Sequence, residues 1–201
     1  MAGPLFILLH GVGQTPAAMA PLGERIAGAW PQARIAALPA ALPYDRGTAG
    51  FQWFSVDGIT EDNRLERIRA ALPAFVDAIR AAQRAHGAGP EDTVLAGFSQ
   101  GAIMILAACR DTWLARHAVA IAGRCAPLPD AWEARTALSL VHGTMDGTVP
   151  ADHSRRAAAR LAGIGADVQL ALVPRALHML SPAILDAAMD ALARRPGLVS
   201  I

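Results

Sequence analysis

Residues 93–101 read T-V-L-A-G-F-S-Q-G, and this stretch decides the fold. Residues 93–96 form a short apolar run led by two β-branched residues, which predicts a buried strand that ends at a glycine. Residues 102–110 favour a helix. Ser99 lies between them with Gly97 and Gly101 on either side, so strand and helix can approach closely. The pattern predicts a strained strand–turn–helix unit that lifts the Ser99 hydroxyl off the edge of a sheet.

The G-x-S-x-G spacing also has a plainer explanation. With 18 glycines in 201 residues, chance would place glycines at both positions around one of the six serines roughly one time in twenty. In that case the serine would only cap the helix. The strand before Ser99 and the helix after it are the context that a nucleophilic serine requires, so Ser99 is the candidate nucleophile.

The composition indicates one globular α/β domain over residues 1–201. Hydrophobic residues make up 53% of the chain and charged residues 17%, which suits a buried core. The net charge is +1 and the basic residues are scattered, so we expect no nucleic-acid binding. Cys109 and Cys125 lack metal-ligand or redox spacing, and we expect no metal and no cofactor.

The apolar runs are too short for targeting or membrane insertion. Residues 5–9 are shorter than the hydrophobic part of a signal peptide, and no run approaches 18 apolar residues. We therefore expect a cytoplasmic protein, monomeric or homodimeric, that does not insert stably into membranes.

Apolar runs alternate with amphipathic segments along the chain. Strands are predicted at residues 5–9, 33–37, 93–96, 118–122, 138–141 and 168–173. Helices are predicted at residues 16–30, 63–86, 102–110, 152–162 and 182–193, with Pro73 expected to kink or split the second of them. This order predicts a mostly parallel, doubly wound sheet of about six to seven strands flanked by helices.

Residues 38–58 form the longest irregular stretch, and they carry four of the ten aromatic residues. These are Tyr44, Phe51, Trp53 and Phe54. Loops of this length in compact domains are usually functional, and aromatic-rich loops are seldom disordered. Two interpretations stay open: the aromatic side chains pack on the core, or some of them line a pocket.

Polar residues follow several of the predicted strands. They are residues 10–14 after the first strand, Ser99 after the third, Asp146 after the fifth and His178 after the sixth. Ligand sites of doubly wound sheets lie beyond the carboxyl ends of the strands, so these residues should meet there. Ser99 would be the nucleophile, His178 its base, and Asp146 the carboxylate that orients the imidazole. The order Ser, Asp, His is the order found in this kind of fold.

Other residues compete for these roles. His10 and His142 each end a strand and are expected to brace their loops, whereas His178 follows the last strand. The remaining histidines, His86, His117 and His153, lie away from the site or at a helix start. Asp130 and Asp152 are the alternatives to Asp146, and Asp152 looks like a helix N-cap.

A tetrahedral intermediate needs preorganised N–H donors for its oxyanion. Gln100 follows Ser99 at the start of a helix, and Val12 lies in the glycine-flanked G-V-G loop after the first strand. Their backbone N–H groups are the natural pair of donors.

These motifs together resemble the phospholipase/carboxylesterase family of α/β-hydrolases, which includes the acyl-protein thioesterases. The resemblance rests on H-G-V-G at residues 10–13, G-F-S-Q-G at 97–101, H-G-T-M-D with V-P at 142–150, and His178. Q-W-F-S at 52–55 and G-I-T-E-D-N-R at 58–64 look more narrowly like the bacterial YpfH-type esterases. The resemblance implies the α/β-hydrolase fold without a cap domain, and an acyl-enzyme on Ser99.

Two positions depart from the family pattern. Ser55 stands where thioesterase members usually carry aspartate, so their substrate preference does not transfer. Leu177 precedes His178 where glycine is common.

The favoured interpretation is a serine carboxylesterase for small-to-medium acyl esters, with thioesters as further candidates. Its partner would be a small-molecule ester, and Trp53, Phe54 and Met145 are the expected substrate contacts. The alternative is a non-catalytic binding module that keeps the hydrolase fold. Peptidase and dienelactone chemistry are further hydrolytic uses, although dienelactone enzymes typically have cysteine as the nucleophile.

Overall fold

The structure, a computed structural model, describes residues 3–125, 127–132, 135–195 and 197. Its strands are β1 (Leu5–Leu9), β2 (Arg34–Leu38), β3 (Leu42–Pro43), β4 (Phe51–Gln52), β5 (Thr93–Phe98), β6 (His117–Ile121), β7 (Ala137–Gly143) and β8 (Val168–Val173). Six of them form a parallel sheet in the order β2-β1-β5-β6-β7-β8, and β3 pairs antiparallel with β4.

Helices cover both faces of the six-stranded sheet. They are α1 (Ala20–Ala29), α2 (Glu61–Ala85), α3 (Gln100–Asp111), α4 (Asp152–Gly163) and α5 (Pro182–Ala193), with short 3₁₀ turns at Pro16–Met19 and Pro90–Asp92. Alternate residues of β1 divide between two cores. Leu5, Ile7 and Leu9 pack in the core that contains α2, α3 and α4, whereas Phe6 and Leu8 pack in the core that contains α1 and α5. Burial on both faces explains why the parallel strands are continuous apolar runs.

The strand order reverses between the neighbouring strands β1 and β5, which opens a crevice beyond their carboxyl ends. The chain goes from β1 outward to β2, returns to β5 on the other side of β1, and then continues through β6, β7 and β8. The loops that leave β1 and β5 therefore diverge, and ligands of such sheets bind where the strand order reverses. At this crevice, the loop at residues 10–14 lies next to Ser99.

The mostly parallel sheet with six strands is confirmed. Of the two effects predicted for Pro73, a kink or a split of the second helix, the split does not occur, because α2 runs without a break from Glu61 to Ala85. Pro73 is on the exposed side of α2, where the carbonyl that loses its amide partner can reach water. The stretch at residues 38–58 is not wholly irregular, since it contains the β3–β4 hairpin.

Thr60 caps α2 with a capping box. Its side chain accepts from the Asn63 N–H, and the Asn63 side chain accepts from the Thr60 N–H. This reciprocal pair explains why α2 begins at Glu61. In the part of the chain that the structure describes, no helix combines the length and hydropathy needed to cross a lipid bilayer.

Candidate active site

Ser99 lies between β5 and α3 in a strained conformation. Its φ is 52°, in the left-handed region that residues other than glycine rarely adopt. A Cβ at Gly97 would lie 2.7 Å from the Gly101 carbonyl carbon, and one at Gly101 would lie 2.4 Å from the Leu9 carbonyl oxygen. Neither backbone position can accommodate a side chain, so the glycines are required by the close approach of β5, α3 and β1.

Three predicted site residues meet at the carboxyl edge of the sheet. Ser99 Oγ lies 2.9 Å from His178 Nε2, and His178 Nδ1 lies 2.7 Å from Asp146 Oδ2. The Asp146 side chain is fully buried, whereas the His178 side chain is 16% exposed. In the neutral tautomer that satisfies both contacts, Nδ1–H donates to Asp146 and Nε2 accepts from Ser99. Such an arrangement can take a proton from the serine and stabilise the imidazolium that forms.

The Asp146 carboxylate is oriented by its own loop. Its Oδ1 accepts from the Thr148 N–H at 2.9 Å and from the Val149 N–H at 2.8 Å. Its Oδ2 is thereby turned toward His178, and His142 Nε2 approaches the same oxygen at 3.3 Å. Backbone donors on one oxygen and imidazole rings near the other hold the carboxylate in this orientation.

The His178 ring has two structural supports. The loops after β7 and β8 are joined by a hydrogen bond from the Met145 N–H to the Ala176 carbonyl at 3.0 Å. The ring also lies against Phe98, with centroids 5.0 Å apart and an interplanar angle of 37°. Sequence reasoning did not identify Phe98, and its position next to Ser99 was the only available signal.

The loop after β1 leaves one N–H group available. The Gly11 N–H donates to Gln14 Oε1 at 2.9 Å, and the Gly13 N–H donates to the Phe51 carbonyl at 2.8 Å. Between them, the Val12 N–H has no hydrogen-bond acceptor within the described ranges. It is therefore the free donor on this side of the crevice.

The backbone and the side chain of Gln100 have different hydrogen-bonding roles. As the first residue of α3, it has an N–H without an acceptor inside the helix. Its buried side chain accepts from the Trp53 N–H at 2.7 Å and donates to the Phe54 carbonyl at 2.7 Å. The residue after Ser99 thus ties the 38–58 stretch to the start of α3, a role that the sequence pattern did not reveal.

The three expected substrate contacts occupy different places. Trp53 and Phe54 are 5% and 3% exposed and belong to the core that contains α2 and α3. Their backbones are hydrogen-bonded to the Gln100 side chain. Met145 is more than half exposed beside Asp146, together with the equally exposed Leu177 and Met179 beside His178. These three exposed residues, each adjacent in sequence to Asp146 or His178, are called the apolar rim below.

The competing histidines brace loops. His142 Nε2 donates to the Val149 carbonyl at 2.7 Å, and its Nδ1 lies 2.7 Å from Ser154 Oγ. His10 Nδ1 donates to the Gly11 carbonyl at 2.7 Å. Both rings are fully buried. They are neighbours of the site and do not contact Ser99 through these bonds.

The competing carboxylates have other partners. Asp130 forms an ion pair with Arg160 at 2.6 Å, and Asp152 forms one with Arg155 at 3.1 Å. The N-cap predicted at Asp152 is wrong, because Ala151 occupies that position and Asp152 is the first residue of α4. A carboxylate at the first helical position is favoured by the helix dipole without capping the helix.

We expect the folded protein to lose stability as the pH falls below about 6.5. Burial lowers the pKa of His10 and His142 below the ordinary value of 6.5; for His142, the Val149 carbonyl and Asp146 oppose burial without reversing its effect. The unfolded chain binds these protons near pH 6.5, whereas the folded chain binds them only at lower pH. Stability is therefore full above this pH and decreases below it. Thermal unfolding midpoints measured from pH 7 to pH 5 should fall.

Two variants serve as controls for this pH dependence. His142→Gln removes one of the protonating groups and should reduce the loss of stability between pH 7 and pH 5. His86→Gln changes a histidine outside the site and should leave the loss unchanged. A midpoint for the parent protein that stays constant over this range would contradict the interpretation.

Comparisons with known proteins identify the family of this chain. The sequence profile of the phospholipase/carboxylesterase family matches residues 2–194. Esterase YpfH of Escherichia coli (strain K12) is 38% identical over 190 residues, which span 94% of this chain and 82% of that protein. The crystal structure of esterase PE8 is similar with a TM-score of 0.86 and 28% identity, over 94% of this chain and 91% of that one. A carboxylesterase from Mesorhizobium loti shares the fold, with a TM-score of 0.78 and 23% identity, over 96% of this chain and 89% of that one.

The family match extends over every element of the sheet and every residue of the Ser99–His178–Asp146 cluster. The resemblance inferred from the motifs and the α/β-hydrolase fold are therefore confirmed. The chain belongs to the phospholipase/carboxylesterase family.

Proposed function

We propose that this chain is a serine carboxylesterase that hydrolyses small-to-medium acyl esters through an acyl-enzyme on Ser99. The supporting observation is the unbroken hydrogen-bond chain from Ser99 Oγ through His178 to Asp146 Oδ2. A serine hydroxyl is a weak nucleophile at neutral pH until an adjacent base removes its proton. His178 is such a base, and the buried Asp146 carboxylate holds it in the tautomer that can accept the proton.

In acylation, Ser99 Oγ attacks the ester carbonyl carbon as its proton passes to His178 Nε2. The carbonyl oxygen becomes an oxyanion and accepts hydrogen bonds from the Val12 and Gln100 N–H groups. Each such donor typically contributes about 3–4 kcal/mol to transition-state stabilisation. The His178 imidazolium then protonates the leaving alcohol, the carbon–oxygen bond to that alcohol breaks, and the acyl group remains on Ser99.

In deacylation, a water molecule takes the place of the alcohol. His178 Nε2 accepts a proton from the water as its oxygen attacks the acyl carbon, and the same N–H donors bind the second oxyanion. The imidazolium returns the proton to Ser99 Oγ, and the carboxylic acid leaves. Asp146 stays ionised throughout and stabilises the positive imidazolium in both steps.

The apolar rim supports an ester with hydrocarbon near the reacting bond. Met145, Leu177 and Met179 are each adjacent in sequence to Asp146 or His178, and each exposes more than half of its surface. Contact with an acyl or alcohol group would remove this surface from water. Thioesters of the same acyl groups pass through the same steps with a thiol as the leaving group.

The strained serine argues against the alternative of a binding module. Left-handed backbone at a residue other than glycine costs of order 1–3 kcal/mol and persists where it serves a mechanism. At Ser99 this strain coincides with a hydrogen bond to His178, an arrangement that a nucleophile needs and that ligand binding alone does not require.

Hydrolysis of p-nitrophenyl esters from acetyl to palmitoyl tests the proposal. We expect turnover on short and medium acyl groups, with a decline for long ones, and inactivation by a fluorophosphonate whose added mass is found on the peptide that contains Ser99. A matched thioester series measures the preference between oxygen and sulfur leaving groups. No turnover by folded protein would contradict the esterase proposal. Turnover of only long, bulky lipids would contradict the proposed preference for small-to-medium acyl groups.

A further inference from the structure

A groove of about 520 Å³ lies beside the candidate active site without including it. It runs between the 38–58 stretch and one face of α2. The lining residues are Pro39, Ala40, Ala41, Leu42, Trp53, Phe54, Ser55, Arg67, Ala70, Ala71, Ala74, Phe75 and Ala78. Ser99, His178, Asp146 and Val12 are not among them. The volume lies in the range of small-molecule sites in proteins.

Alanine is the most frequent residue in the lining of the groove. Six of the lining residues are alanines, two of them from the segment after β2 and four from α2. The alanines of α2 at positions 70, 74 and 78 recur at four-residue steps, so they form one smooth row along the helix. This row of methyl groups gives the groove an apolar wall that lacks the larger side chains that would fill it.

The polar side chains that line the groove already form hydrogen bonds within the protein. Arg67 Nη1 donates to the Ser55 carbonyl at 3.0 Å, to Ser55 Oγ at 3.2 Å and to the Asp57 carbonyl at 2.5 Å. Ser55 Oγ in turn donates to the Asp45 carboxylate. The Trp53 indole N–H donates to the His10 carbonyl at 2.9 Å. Water in the groove therefore finds few side-chain partners, and its release favours an apolar ligand.

The walls of the groove are held by hydrogen bonds to the core of the enzyme. The Ala40 N–H donates to His10 Nε2 at 3.1 Å, and the Gln100 side chain binds the backbones of Trp53 and Phe54. These bonds fix both sides of the 38–58 stretch without a ligand. A preformed site loses little free energy to ordering when it binds. Trp53 and Phe54 also separate the groove from Gln100 and so from the oxyanion donors.

We propose that this groove is a binding site, separate from the Ser99 crevice, for a linear alkyl chain of medium length. The chain lies along the alanine row of α2 and contacts the segment at residues 39–42. Recognition is through apolar contact, because both Nη atoms of Arg67 already donate to the 55–58 loop. The inference goes beyond the esterase proposal and does not require it.

Binding of an alkyl ligand to the Ser99→Ala variant tests the site, because the substitution removes any ester hydrolysis at Ser99. The probe is n-octanol, and the measurement is titration calorimetry with tryptophan fluorescence as a second signal. We expect saturable binding of one molecule per chain. Octanoate should bind with an affinity within about threefold of n-octanol, because the two ligands share the hydrocarbon chain that makes the apolar contacts and both Nη atoms of Arg67 already have acceptors in the 55–58 loop. A preference for octanoate of about tenfold or more would overturn the assignment to a neutral chain.

Substitutions in the same Ser99→Ala background locate the ligand. Ala74→Phe fills the groove from an exposed position of α2 and should weaken n-octanol binding by about tenfold or more, since the exclusion of two methylene groups is sufficient for that factor. Ala81→Phe adds the same side chain to an exposed α2 position outside the groove and should change nothing. Leu177→Asp alters the crevice rim and should also leave binding unchanged.

Three outcomes would overturn the proposal. They are the absence of saturable binding, equal affinity of the Ala74→Phe and Ala81→Phe variants, and loss of binding in Leu177→Asp with Ala74→Phe unaffected. The last result would place the alkyl chain in the Ser99 crevice. None of them depends on whether the parent protein hydrolyses esters, so failure of this proposal is distinct from failure of the esterase proposal.

Discussion

Replacing Ser99 with alanine is expected to reduce kcat for a p-nitrophenyl ester by about 10⁵-fold or more. The substitution removes the atom that forms the acyl-enzyme, while the Val12 and Gln100 donors and His178 stay in place. The remaining groups can still bind the ester and polarise its carbonyl, which leaves only a small residual rate. The measurement is steady-state hydrolysis of a short acyl ester by the parent and the variant.

Folding of the Ser99→Ala variant should be unaffected or improved. Alanine removes one hydroxyl, and the strained φ of 52° is imposed by β5 and α3 whichever residue occupies the position. Loss of activity can therefore be separated from loss of structure by a thermal melt of the same samples.

Ser181→Ala is the matched control for a serine outside the site. Ser181 caps α5 by accepting from the Ile184 N–H, so its loss should cost about 1 kcal/mol of stability and leave kcat unchanged. Turnover that survives Ser99→Ala would mean that another residue carries the acyl group.

Asp146→Asn is expected to lower kcat by about 10⁴-fold without unfolding the protein. The Thr148 and Val149 N–H groups both point at Oδ1, so the single oxygen of asparagine must remain there to accept from them. The amide NH₂ then faces His178 Nδ1 and donates to it. This forces the proton of His178 onto Nε2, where it can no longer accept from Ser99.

Rates and stability must be measured together for this variant. The control is Asp130→Asn, which removes an exposed carboxylate paired with Arg160 and should leave kcat unchanged. KM should change far less than kcat in Asp146→Asn, because the substitution alters the tautomer of the base and not the contacts of the ester. An Asp146→Asn enzyme within about tenfold of the parent would contradict the role proposed for Asp146.

The bounds of several elements could be predicted closely, and others could not. The prediction for β8 and α5 matches the observed Val168–Val173 and Pro182–Ala193. Both are delimited by local signals: Pro174 follows the strand, and a serine cap with proline at the first helical position opens the helix. The two-residue strands β3 and β4 are too short to show any periodicity, so their hairpin could not be predicted.

The candidate site was predictable where chain order carries the information. Ser99, Asp146 and His178 each follow a strand of a parallel sheet, and the carboxyl ends of such strands share one edge. The supporting residues were not predictable in this way. Phe98 against His178, and the Gln100 side chain between Trp53 and Phe54, depend on contacts between residues far apart in sequence.

By itself, the sequence determined the six parallel strands, the glycine-flanked turn at Ser99 and the candidate residues at strand ends. These properties follow from local hydrophobic runs and from the steric limits of a tight turn. Both depend only on residues that are neighbours in the sequence. Only the tertiary structure decided the strand order that opens the crevice between β1 and β5, the carboxylate oxygen that faces His178, and the groove along α2. Each of these is set by packing between distant segments, and such packing leaves no periodic signal in the chain.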